Sequence, residues 1–322
     1  MSLTPCGAGP RKGTSVDFRI NGESFPIGMK EGDSLGALLV EADELLEKAG
    51  SVIVGFSVDG KPVDPEDFAR VRDLLAADVE RVDLVAESSS DWRAKAISLL
   101  LDLIGLVSGA AAGEPAPEGA GSGWPSLAAT VGDFLRNFSG LFPADELSFV
   151  QNLAEFVEGI SREAELAGGA LAPSRAEEVA ARAGAFDTIF RERLSELSDP
   201  VAETRRVAAL YAEEAAELRE LPVYLQTGRE DRAMKAVLLF IEIFNKVIRL
   251  IPELRKGGVD TGALRVDGQA LPEFYAAFNE VLKRLSQALE DKDSILIGDL
   301  AEYEVAPRLS SLFGALGEAL PR

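Results

Sequence analysis

Histidine is absent from these 322 residues, and cysteine occurs once, at Cys6. Without histidine there is no Ser-His-Asp triad, no Cys-His dyad, no His-ligated zinc and no imidazole general base. One cysteine forms no internal disulfide and no metal cluster, so nothing points to an oxidising compartment. Cations are scarce as well. There are 33 Lys and Arg against 54 Asp and Glu, a formal net charge of -21. Phosphate backbones and anionic lipid are held by clustered Lys and Arg, so this balance argues against both as partners. Long apolar runs are missing too. The most apolar stretches are 96–109, interrupted by Asp102, and 237–251, interrupted by Glu242, Asn245, Lys246 and Arg249. Both are shorter than the ~20 residues of a membrane span. The opening MSLTPCGAGPRKG lacks the apolar centre of a signal peptide. The expectation is a cytoplasmic protein with no membrane insertion.

What the chain does have is ample core material. It is 47% hydrophobic and 27% charged, which fits a folded protein, and its length suggests two domains. Residues 15–87 hold 17 acidic and 7 basic side chains, and residues 126–322 hold 33 and 22. The negative charge therefore belongs to both halves, where it favours solubility and attracts a basic partner.

Val16, Phe18 and Ile20 alternate with polar residues, as a half-buried strand does, and Asn21-Gly22 supplies a tight turn to a return strand at Phe25 and Ile27. Asp33 or Ser34 caps a helix to Ala49, whose stripe is Leu35, Leu38, Leu39, Ala42, Leu45 and Leu46. A strand at 52–58, a second turn at Asp59-Gly60, a short helix at 66–75 and a last strand at 82–85 follow. This order of elements resembles the β-grasp, or ubiquitin-like, fold. The resemblance implies a compact module with a sheet face used for binding. A free C-terminal Gly-Gly, on which conjugation depends, is not present at the module's end, Ala86-Glu87-Ser88.

Residues 88–107 read as a bridging helix, and 108–125, almost all Gly, Ala, Pro and Ser, as a linker. Beyond it the periodicity is helical throughout, with no strand. Ser174 and Glu177 suggest a capping box, Asp199-Pro200 a cap, and Pro252 and Pro307 a stop or kink. The fold class expected is α+β: leader 1–14, β-grasp-like module 15–87, bridging helix 88–107, linker 108–125 and helical bundle 126–322.

Carboxylates are the remaining chemical resource. Glu213, Glu214 and Glu217 spell EExxE on a helix, and Glu242 follows on another. Glu213 and Glu217, four apart, share a face and could hold Mg²⁺. The pattern resembles the all-α MazG-type nucleotide pyrophosphatases, in which EExxE is followed by ExxD. Here the second half is Glu242-Ile243-Phe244-Asn245, with Asn245 where that family has Asp. Asp291, Asp293, Asp299 and Glu302 fall on a calcium-loop spacing, but Ile295 and Leu296, which read as core residues, occupy its central positions.

The segment 221–228, LPVYLQTG, reads as an apolar connection between two helices that could present Tyr224 and Gln226 to a partner. Taken together, the residues point to a non-catalytic adaptor, scaffold or chaperone-like protein without a cofactor. Its partner is another protein, basic or presenting an amphipathic helix. Two alternatives are a Mg²⁺-dependent hydrolase built on Glu213, Glu214, Glu217 and Glu242, and a self-assembling structural subunit.

Overall fold

The computed structural model describes residues 16–30, 32–114 and 123–321. The expected leader lies outside the described residues, as does 115–122 of the expected linker. The architecture is α+β, with a small mixed sheet near the N-terminus and a largely helical remainder. The chain divides into two compact units, Met1–Ala96 with Arg136–Ser148, and Ile97–Leu135 with Phe149–Arg322.

In the first unit, β1 (Asp17–Ile20), β2 (Glu23–Ser24), β3 (Ser51–Val58), β4 (Lys61–Pro62) and β5 (Arg81–Ser88) form one sheet in the order β2-β1-β5-β3-β4. β1 and β5 run parallel, and the other pairings are antiparallel. Both turns use positive φ at paired positions, 52° and 86° at Asn21-Gly22, 49° and 77° at Asp59-Gly60. That geometry is what Asn-Gly and Asp-Gly tolerate best. The return strand is shorter than expected and stops at Ser24, although the Phe25 amide still donates to Phe18 at 2.8 Å. Asn21 does a second job. Its side-chain amide donates to the Ala86 carbonyl at 2.9 Å and its oxygen accepts from the Ala86 amide at 3.0 Å, which extends the ladder on β5 by one residue.

Helix α1 (Leu35–Lys48) lies on this sheet, with Leu35, Leu38, Leu39 and Ala42 in a core with Phe18, Val82 and Leu84. Ser34, rather than Asp33, is its cap and accepts from the Ala37 amide at 3.2 Å. Leu45, expected in the stripe, is exposed. The expected helix 66–75 shrinks to α2 (Phe68–Val71). The residues after it have other work: the Leu74 and Arg72 carbonyls accept the Leu35 and Gly36 amides at 2.8 Å each, satisfying helix-start donors that would otherwise be orphaned.

Helix α3 (Ser89–Ala111) continues past the expected end at 107, because Ala110 and Ala111 are strong helix formers and the break waits for Gly113 at φ 77°. It corrects the expectation that no segment has the length for a membrane. Among the described residues α3 is one helix long and apolar enough to cross, and 39% of its apolar stretch is buried within the protein.

The chain after α3 is largely helical, with the end of α4 and the start of α5 in the first unit and the rest in the second: α4 (Trp124–Phe138), α5 (Ala144–Leu166), α6 (Pro173–Ser198), α7 (Pro200–Arg219), α8 (Leu221–Gln226), α9 (Glu230–Lys256), α10 (Leu271–Glu290), α11 (Ser294–Leu300) and α12 (Ala306–Ala319). Asp199 caps α7 as expected, accepting from Ala202 at 2.9 Å. α6, however, starts at Pro173, whose fixed φ suits the first helical position, so Ser174 lies inside the helix and is no cap. α9 runs on through Pro252 for a further turn. A two-stranded hairpin, β6 (Arg265–Val266) and β7 (Gln269–Ala270), turns at Asp267-Gly268 and corrects the expectation of no strand in this region.

Phe244 packs edge-on to Phe278 at 4.5 Å, and Tyr211 stacks on Phe313 at 4.8 Å, in a continuous core of α7, α9, α10 and α12. Between α11 and α12, residues Ala301–Val305 form a wide π turn in which the Ala306 amide reaches back to the Ala301 carbonyl. Pro307, one residue on, has no amide to give and its ring crowds the carbonyl four residues back, so the helix opens there instead of breaking.

Behind this core lies an ionic network on α6, α7 and α9. Lys246 stands 2.9 Å from Glu192 and 3.0 Å from the buried Glu203, and Arg249 donates to both oxygens of the buried Glu196 at 2.9 and 3.1 Å. Burial works to raise the Glu203 pKa. The hydrogen bond from Ser195 and the charges of Lys246 and Arg206 outweigh it and hold the carboxyl below its ordinary value. Burial likewise works to lower Lys246, but Glu192 and Glu203 lift it above the usual lysine value.

Candidate functional site

The candidate carboxylates do not converge. Glu213 is exposed on α7, Glu214 and Glu217 are half-buried, and Glu242 is exposed on α9. Glu217 is already engaged: Arg232 donates to its two oxygens at 2.7 and 3.0 Å, and the Tyr224 hydroxyl donates to one of them at 3.0 Å. The Arg232 hydrogen bonds, with smaller help from Tyr224, hold the Glu217 carboxyl below its ordinary pKa. Among the described residues no group of three or more His, Cys, Asp or Glu is placed to hold a metal ion.

The segment 221–228 is not a presenting loop. Pro222 sits in the first turn of α8, where its missing amide costs nothing, and the segment is helical to Gln226. Tyr224 is turned inward and buried, with the Arg232 guanidinium 4.6 Å from its ring centre. Burial and the bond to Glu217 raise its hydroxyl above the ordinary tyrosine value. Gln226 is exposed at the end of α8. The expected pair is therefore split, one residue structural and one on the surface.

What the structure does assemble here is an open apolar cleft of about 160 Å³. α8 supplies Leu221 and Leu225. α9 supplies Glu230, Ala233, Met234 and Val237, spaced to share one face. Leu289 comes from the last turn of α10, and Lys292, Ser294 and Ile297 complete the wall from the turn into α11. Two close contacts set the walls. A Cβ built on Gly298 of α11 would stand 3.0 Å from the Pro222 ring of α8, so any larger residue makes the proline give way by a few tenths of an ångström. Asp293 caps α11, accepting from Leu296 at 3.0 Å, and Lys292 takes φ 55° to make the turn. Asp293 is thus a helix cap.

Large apolar side chains are exposed on the same elements, and Met234 among them lines the cleft. Met234 is 43% exposed, Leu238 52% and Ile295 76%, and Leu296 is partly exposed. Ile295 and Leu296, expected in the core, face outward because the buried positions of α11 are Ile297, Gly298 and Leu300. The signal was present in α9. Its core stripe of Ala233, Ala236, Val237 and Phe240 leaves Met234 and Leu238 as apolar residues outside the arc that the core buries.

A domain of unknown function, DUF8042, matches residues 208–314, which include the whole cleft. The chain is also similar to an uncharacterized protein of Treponema pallidum (strain Nichols), with 30% identity over 129 residues. That alignment covers 39% of this chain and 64% of the relative, so the chain spans less than two thirds of the relative's length. No solved structure matches the chain.

Proposed function

We propose that this is a non-catalytic protein-binding adaptor, scaffold or chaperone-like protein of the cytoplasm, whose recognition site is the cleft between α8, α9 and α11. One observation carries the reading: the cleft is open and mainly apolar, with exposed Met234 in its lining and exposed Leu238, Ile295 and Leu296 on the helices that form it. Isolated exposed apolar residues are ordinary, but several on the helices that line one concavity favour an interaction surface. The lack of histidine and the engagement of Glu217 by Arg232 favour a binding role over catalysis. For the first unit, the strand order β2-β1-β5-β3-β4 with one helix on its face supports a β-grasp module.

The test is retention of a partner. The tagged full chain and its Met234→Asp variant would be used to capture proteins from the native host, and each captured protein would then be purified and bound again in isolation. At least one should bind the wild type directly and lose affinity at least about tenfold for Met234→Asp. A variant that retains every direct partner at full affinity would overturn the assignment of the cleft.

A further inference from the structure

We infer that the cleft receives one large apolar side chain from a basic amphipathic helix of the partner. This rests on the protein-binding reading and adds the partner's chemistry.

Size decides the kind of occupant. A cleft of about 160 Å³ is close to the ~150 Å³ cavity that holds a benzene. It admits one Leu, Met or Phe side chain. Spacing decides the shape. Met234 and Leu238 lie one turn apart on α9, about 6 Å along its axis, and both are exposed. A helix laid alongside presents its own apolar residues at the same interval, so an anchor in the cleft brings its neighbour over Leu238.

Charge decides the sign. Among the lining residues and their immediate neighbours in sequence, the exposed Glu230, Asp231, Glu290, Asp291 and Asp293 outnumber Arg229, Lys235 and Lys292, while Arg232 is neutralised by Glu217. A helix flanked by Lys or Arg meets attraction here, and one flanked by Glu meets repulsion.

The experiment uses the full-length protein and a fluorescein-labelled model peptide, helical, with Leu at i, i+4 spacing and Lys on its polar face. Ionic strength is held near 0.15 M, so that long-range attraction to the acidic chain is screened. Three comparisons are read by fluorescence anisotropy. The peptide with its central Leu replaced by Ala should bind at least about tenfold more weakly, as should the peptide with Glu in place of Lys. The Met234→Asp protein should also lose at least about tenfold, although it gains a negative charge. Binding that strengthens or holds in Met234→Asp would mean attraction by charge alone and overturn the anchor. Equal binding of the Lys and Glu peptides would overturn the basic partner.

If no peptide binds while an authentic partner still depends on Met234, this inference fails and the protein-binding reading stands. If neither depends on Met234, the inference and the assignment of the cleft both fall. Light scattering across concentrations covers one further occupant: self-association that Met234→Asp abolishes would assign the cleft to a second copy and overturn the inference.

Discussion

Arg232 grips Glu217 with both ends of its guanidinium, Nη2 to Oε1 at 2.7 Å and Nε to Oε2 at 3.0 Å, while lying over the Tyr224 ring. The pair joins the end of α7 to the first turn of α9 and closes over α8 between them. Glu217→Gln removes the charge and keeps the shape. It should lower the melting temperature modestly and speed hydrogen exchange at the amides of 221–226, without disturbing exchange in α12. If α8 exchanges no faster in the variant, the pair is not what holds that helix.

The same residue tests the metal alternative. Since Glu217 is held by Arg232 and no group of three metal-binding side chains is assembled among the described residues, Mg²⁺ or Mn²⁺ should not raise the melting temperature of the wild type beyond an equal ionic strength of Na⁺. A metal-specific rise abolished in Glu214→Gln would restore the hydrolase reading.

Gly298 and Pro222 define how closely α11 approaches α8, with 3.0 Å from an added Cβ to the proline ring. Gly298→Ala should destabilise by about 1 kcal/mol net, since the crowding of the proline ring exceeds the helix preference that Ala brings. Gly314→Ala is the control. It lies in α12 with nothing within 4 Å of an added Cβ, so it should be neutral or stabilise by up to about 1 kcal/mol. Urea melts of the two variants should move in opposite directions.

Acid should reveal Glu203. Its carboxyl binds a proton more weakly folded than unfolded, so its contribution is complete above the ordinary glutamate pKa of about 4.3 and is lost as the pH falls through the lower folded value. Glu203→Gln should cost about 1–2 kcal/mol at pH 7, because Lys246 loses one of its two close carboxylates and keeps Glu192. The stability gap between wild type and variant should narrow below about pH 4. Melts at pH 7, 5 and 3 check this, and a gap independent of pH would refute the charge-based account.

In the first unit, Asn21 combines a left-handed turn with two hydrogen bonds to Ala86. Asn21→Gly keeps the turn and loses the bonds, at about 1 kcal/mol. Asn21→Ala loses both and should cost more. Equal melting curves for the two variants would mean that the turn preference contributes nothing.

Much of the first unit was legible because its signals are local. Asn21-Gly22 and Asp59-Gly60 name their turns, and the alternation of 52–58 names a strand. The helix expected at 66–75 was not legible, since residues 72–75 are shaped by the amides of Leu35 and Gly36, more than thirty residues away. Asp267-Gly268 carries the same turn chemistry as the others. It escaped notice because strands of two residues are too short to display alternation.

The candidate site was less legible, for a different reason. Helical periodicity says which residues are apolar but not which side of each stripe finds a neighbour. Ile295 and Leu296 read as core because apolar residues at a helix start commonly are, yet the helix around them buries Ile297 and Leu300. Tyr224 and Gln226 are two residues apart on one helix, about 200° around its axis, so they could not both face a partner once the segment proved helical.

The wide turn at Ala301–Val305 also constrains how this chain can change over generations. It holds more residues than a regular turn, and Pro307 depends on that slack. Loss of a single codon here, at Tyr303 for example, would let the wide turn close to a regular one and leave the downstream register unchanged. Leu309, Leu312, Phe313 and Leu316 would still face the core, and the cost would fall on Pro307, whose ring would crowd the closed turn. Loss of one residue within α12 would instead rotate the rest of that helix by about 100°, so deletions should be borne better between Ala301 and Val305 than between Leu309 and Leu316.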